Sequence, residues 1–79
     1  MSKPTPAQIR AARGMLNWSM LDLAKAAGVS ISTVKRFECE GDQPVSADTV
    51  AMMQDAAETE GVRFLADDGN GPGVRLRRR

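Results

Sequence analysis

The run from Ser19 to Glu38 restricts this chain more than any other, because Gly28-Val29-Ser30 alone separates two apolar-periodic segments. Ser19 is placed to cap a helix, with Asp22 three positions on. Leu23, Ala24 and Ala27 recur as its apolar stripe, and Gly28 stands where a helix end favours a left-handed residue. Ser30 opens a second helix whose inner face is Val34 and Phe37. So short a connection forces the two helices to cross closely. The crossing needs a small residue, and Ala24 supplies it. Val29 and Val34 pin the pair from inside, while the start of the second helix stays exposed.

Two further helices flank this pair. Thr5 is an N-cap, Pro6 suits the first helical position, and Gln8 completes a capping box. Ile9, Ala12, Met15 and Leu16 then recur at three- and four-residue spacing. Gly41-Asp42-Gln43-Pro44 reads as a loop. Ser46 caps a last helix through about Glu60, with Val50, Met53 and Ala57 inward and Gly61 as its stop. Beyond Gly61 the period falls to two. Val62–Ala66 and Val74–Arg77 are β-like, and the Gly-rich turn chemistry of residues 67–73 joins them. A lone hairpin is marginal in water, so this one must pack on the helices or pair with another chain.

The expected fold is therefore mainly α, four helices closed by a short C-terminal β-hairpin. Residues 1–4 are expected to be a disordered N-terminus, 5–61 the helix-turn-helix domain with its motif at about 19–38, 62–77 the hairpin and 78–79 a basic tail. The expected core is Ile9, Leu16, Leu23, Ala24, Val29, Val34, Phe37, Val50 and Met53, with Phe37 the largest member.

Composition argues against catalysis. Histidine is absent, which removes the usual general base and the usual metal ligand. The single cysteine, Cys39, forms neither an intrachain disulfide nor a zinc knuckle. Glu38 and Glu40 flank it, and negative neighbours slow a thiol's reactions. No nucleophile–base pair assembles, so a non-enzymatic domain without cofactors is expected. Apolar runs are too short for a membrane span, and Met1-Ser2-Lys3-Pro4 lacks a signal peptide's apolar stretch, so a cytoplasmic location is expected.

The net charge of +1 hides a pattern. Residues 1–40 carry six bases against three acids, residues 41–61 five acids and no base, and residues 62–79 five bases against two acids. An acidic band between two basic blocks suits a molecule with one face for a polyanion and another turned away from it.

Two capped helices joined by a Gly-containing turn make a helix-turn-helix. The run resembles the lambda-repressor/Cro-like, XRE-type DNA-binding domains through Ser19, Leu23, Ala24, Gly28, Val29, Ser30, Thr33, Val34, Phe37 and Glu38, followed by Gly41 and Pro44. The likeness reaches outward through Gln8–Arg13, and the G-V-x-F and G-P-G-V-R-L-R tail is similar to that of small bacterial regulators. Three positions depart from the pattern. Met20 stands where the family often has a phosphate-contacting Gln, Cys39 where it often has Asn, and one extra residue separates Glu38 from Gly41.

The resemblance implies a four-helix, lambda-repressor-like, sequence-specific transcriptional regulator of double-stranded DNA that reads the major groove with helix 31–40. Ile31, Ser32, Lys35 and Arg36 then face base edges. Arg36 is suited to the O6 and N7 of guanine, and Ile31 to a thymine methyl. Ser19, Ser30, Thr33, Arg10, Arg13 and Lys25 are the phosphate candidates, Ser30 being first of all a helix cap. A homodimer is expected, formed through the hairpin. The alternative is an antitoxin or other protein-interaction module on the same scaffold, holding a protein partner through the hairpin or through Met20 and Leu21.

Overall fold

A computed structural model describes residues 3–39 and 45–77. It shows α1 (Pro6–Leu16), α2 (Met20–Ala27), α3 (Ile31–Cys39), α4 (Ala47–Thr59), β1 (Val62–Leu65) and β2 (Gly73–Leu76). The loop expected at residues 41–44 and the basic tail at 78–79 lie outside the described residues, as does Glu40 at the expected end of the third helix. Of the expected disordered N-terminus, residues 1–2 also lie outside, while Pro4 is buried.

Each helix start is built from its own local chemistry. The Thr5 hydroxyl accepts from the Gln8 N–H at 3.1 Å, and the Gln8 carboxamide oxygen accepts from the Thr5 N–H at 2.8 Å. Ser19 and Asp22 make the same reciprocal pair at the head of α2. The Ser19 N–H donating to the Asp22 carboxylate holds that carboxyl below its ordinary pKa. Ser46 caps α4 through the Thr49 N–H. The ends are equally defined. Gly28 takes φ 73° after α2, and Asn17, absent from the sequence reading, takes φ 58° after α1.

Helices α1, α2, α3 and α4 surround a core in which Ile9, Leu23, Val34 and Met53 are fully buried. Ala24 and Ala27 of α2 and Val50 of α4 complete it. Ala12, Ala57 and Val62 form a second, smaller cluster beneath the hairpin, and Phe64 packs against both. Three residues of the expected core sit at its margin instead. Leu16, Val29 and Phe37 are half-buried. On α3 the deepest register is Val34 and Glu38, one turn apart, which leaves Phe37 on the shoulder.

The strands pair antiparallel, Val62 opposite Leu76 and Phe64 opposite Val74. The hairpin rests on the helices, β1 on α4 and β2 on α1. Gln8 ties it down from below: its amide nitrogen donates to the Leu65 carbonyl at 3.1 Å and to the Gly73 carbonyl at 2.8 Å. One buried side chain thus caps α1 and closes the loop end of the hairpin. At that loop, Asp67 accepts from the N–H groups of Gly69 and Gly71.

Candidate nucleic-acid interface

The exposed surface of α3 follows from its helical period. Val34 and Glu38 are buried and Phe37 is half-buried, which turns residues 31, 32, 35 and 36 outward. Ile31, Ser32, Lys35 and Arg36 are accordingly exposed on one face, and Ile31 retains 44% of its surface. The structure brings together all four residues expected to face base edges.

The turn presents this face. The Ser30 hydroxyl accepts from the Thr33 N–H at 3.1 Å and lies 2.8 Å from the Thr33 hydroxyl. The Val29 N–H donates to the Ala24 carbonyl at 3.0 Å, locking the turn back onto α2. Ser30 and Thr33 therefore organise the start of α3, and Ser19 does the same for α2. All three hydroxyls stand at helix N-termini, where the partial positive charge favours phosphate. Lys25 is exposed in the last turn of α2.

Arg13 departs from its expected place on phosphate. Its Nε donates to Glu38 Oε2 at 2.8 Å, its Nη2 to Glu38 Oε1 at 2.7 Å, and its Nη1 to the Trp18 carbonyl at 3.2 Å. The fork is filled by a carboxylate from inside the protein. The Glu38 side chain is completely buried and that of Arg13 is 18% exposed. Hydrogen bonding to Glu38 raises the guanidinium's pKa further still. Arg10 remains exposed, but its Nη1 donates to the Glu38 backbone carbonyl at 2.6 Å. Two arginines of α1 thus grip the last turn of α3 and fix its angle to the rest of the domain.

The Glu38 anchor was missed in the sequence, although its signal was present. A glutamate one turn after Val34 falls on the buried face of an otherwise apolar stripe, and a buried carboxylate requires a cation. Of the apolar pair Met20–Leu21, Met20 packs against the core while Leu21 keeps 47% of its surface exposed. Cys39 is exposed at the end of α3.

A family model described as helix-turn-helix matches residues 9–56, more than half of the chain. The chain belongs to the XRE-type, lambda-repressor/Cro-like helix-turn-helix family. Among curated proteins, none matches it. Membership makes this a DNA-binding helix-turn-helix domain of a generally non-enzymatic family. The matched segment spans most of α1, all of α2 and α3 and most of α4, and it stops short of the hairpin. Among the described residues no helix is long and apolar enough to cross a membrane.

Proposed function

We propose that this helix-turn-helix domain is a sequence-specific transcriptional regulator that places α3 in the major groove of double-stranded DNA. The observation that carries this reading is the two-sidedness of α3: Val34 and Glu38 are held inside while Ile31, Ser32, Lys35 and Arg36 stand free together. In this reading Arg36 bonds a guanine edge, Ile31 meets a thymine methyl, and Ser32 and Lys35 complete the base-facing set. Ser19, Ser30, Thr33, Lys25 and the exposed part of Arg10 orient the helix on phosphate.

Selection of binding sites from random duplex supplies the test. Arg36→Ala is expected to weaken the best selected site by about 1–3 kcal/mol and to relax the preference at one base pair. Lys35→Ala, should Lys35 also reach phosphate, weakens all duplexes alike and lowers the salt slope by about one. A double variant that binds its selected site as well as the wild type would place recognition elsewhere.

A homodimer on a two-fold-symmetric operator doubles the few contacts one domain can make. The hairpin offers the surface, since β2 has an open edge and Leu76 keeps 43% of its surface exposed. The opposing choice, α4 against α4, would bring Asp48, Asp55 and Glu58 of two copies together. Leu76→Glu is expected to shift the mass measured in solution toward monomer with the helical content unchanged. A variant that remains dimeric removes the hairpin from the interface.

The second reading, a protein-interaction module such as an antitoxin, has one observation in its favour. Trp18, Met52 and Ala56 line an open groove of about 380 Å³ between α2 and α4. Co-purification of a stoichiometric protein partner, lost on Met52→Glu, would favour it.

A further inference from the structure

The two faces of the C-terminal hairpin differ in kind. Val62, Phe64 and Val74 pack toward α1 and α4, whereas Arg63 and Arg75 are exposed on the opposite side. The register sets these two arginines directly across from one another. The Arg77 N–H donates to the Gly61 carbonyl at 2.8 Å, which extends the ladder by one pair and puts Arg77 on the same side as Arg75. The Arg77 Cβ lies 3.7 Å from where a side chain on Gly61 would begin, so the glycine leaves that side open.

Three guanidinium groups thus share one face of a ribbon whose strands are four residues long. Like charges directly opposite on paired strands oppose the pairing. No nearby acid among the described residues is ion-paired with them. Among the described residues the ion pair is Arg13–Glu38, and Glu58, which lines the same groove as Arg63, accepts a hydrogen bond from Gln54. Asp67 and Asp68 accept from the N–H groups of their own loop. The three exposed arginines are thus left free to meet an external anion.

We propose that the outward face of the hairpin is a second, sequence-independent contact surface for the phosphate backbone of duplex DNA. Guanidinium forks suit phosphate oxygens. By alternation the exposed Leu76 belongs to the opposite side of the ribbon, and the apolar neighbour on the arginine side, Leu65, is half-buried, so the arginine face has the polar, basic character of a backbone contact. Its position makes it additional to α3. The hairpin rests on α1 and α4, while α3 packs on α1 and α2, so α1 stands between the two surfaces. One domain can then hold two duplex segments at once.

Random-sequence duplex is the probe, and the first arm does not rest on the α3 reading. Protein carrying Lys35→Ala and Arg36→Ala, which disables the α3 face, still binds random duplex. That binding falls about 40-fold between about 50 and 200 mM salt when three phosphates are engaged. Adding Arg63→Gln, Arg75→Gln and Arg77→Gln abolishes it, and lysine at the same three positions preserves it. Relieving like charge leaves the hairpin no less stable, which circular dichroism and thermal melting check. The second arm does rest on the α3 reading: wild-type protein held on an immobilised selected duplex captures a labelled random duplex, and the triple Gln variant stays bound without capturing.

Three results would overturn the hairpin surface while leaving the α3 reading intact. They are residual binding unchanged by the three Gln substitutions, wild-type protein on its selected duplex that captures nothing, and capture of polyglutamate in preference to duplex. Failure of the wild type to select any site, with the first arm positive, would instead overturn the α3 reading alone.

Discussion

Arg13→Ala is expected to destabilise the domain by about 3–5 kcal/mol, read as a shift in chemical denaturation with unchanged slope. The substitution leaves the Glu38 carboxylate at 0% exposure without the fork that holds both of its oxygens at 2.7 and 2.8 Å. A small domain has about 5–15 kcal/mol of stability in total, so the loss approaches the whole. The pair itself need not be strongly favourable, because desolvating both ions offsets most of their attraction. The double variant Arg13→Leu with Glu38→Leu is therefore expected to recover most of the stability. Arg13→Lys should fall between, since a point charge satisfies one oxygen where the fork satisfies two. A loss below about 1 kcal/mol for Arg13→Ala would mean that water reaches Glu38, and the buried anchor would be wrong. The leucine pair carries a second readout. If it folds and yet binds its selected site less tightly, Arg13 and Glu38 set the angle of α3.

The elements whose start is written in a few adjacent residues were the most legible ones. Thr5 with Gln8, Ser19 with Asp22, Ser30 with Thr33, and Ser46 each satisfy free N–H groups within one turn, so no distant partner is needed to predict them. The hairpin was legible from its two-residue alternation of Val62 and Phe64, and of Val74 and Leu76, around a Gly-rich turn, while its register, Val62 opposite Leu76, is set by the fold. Long-range polar commitments were not legible. Gln8 reads as a cap, and nothing local tells that its amide nitrogen reaches two strand carbonyls some sixty residues away. Arg10, Arg13 and Lys25 look alike as surface bases. Tertiary structure alone separates Arg13, bound to Glu38, from Lys25, which stays exposed. The exposed set on α3, Ile31, Ser32, Lys35 and Arg36, was readable because a helix with Val34 inside has one possible outside.

Leu23→Ala is expected to cost about 2–5 kcal/mol, and Phe37→Ala less than Leu23→Ala despite the larger side chain. Size alone gives the opposite order, since truncating a fully buried phenylalanine costs about 3–5 kcal/mol. Burial reverses it. Leu23 is 1% exposed among Ile9, Val34 and Met53, on a helix that must lie close to α3, so a cavity there has little freedom to collapse. Phe37 lies on the shoulder of α3, half in water already, and its removal opens a surface notch that solvent fills. The two variants also separate stability from recognition. Leu23 shares its buried cluster with Val34 of α3, so its loss should loosen the packing of α2 on α3 and raise amide exchange in α3. Phe37→Ala should leave that exchange near its wild-type level. Denaturation of both variants under one condition decides the matter. If Phe37→Ala proves the more damaging, the core extends to the end of α3, and the apolar anchor of that helix is Phe37 rather than Val34.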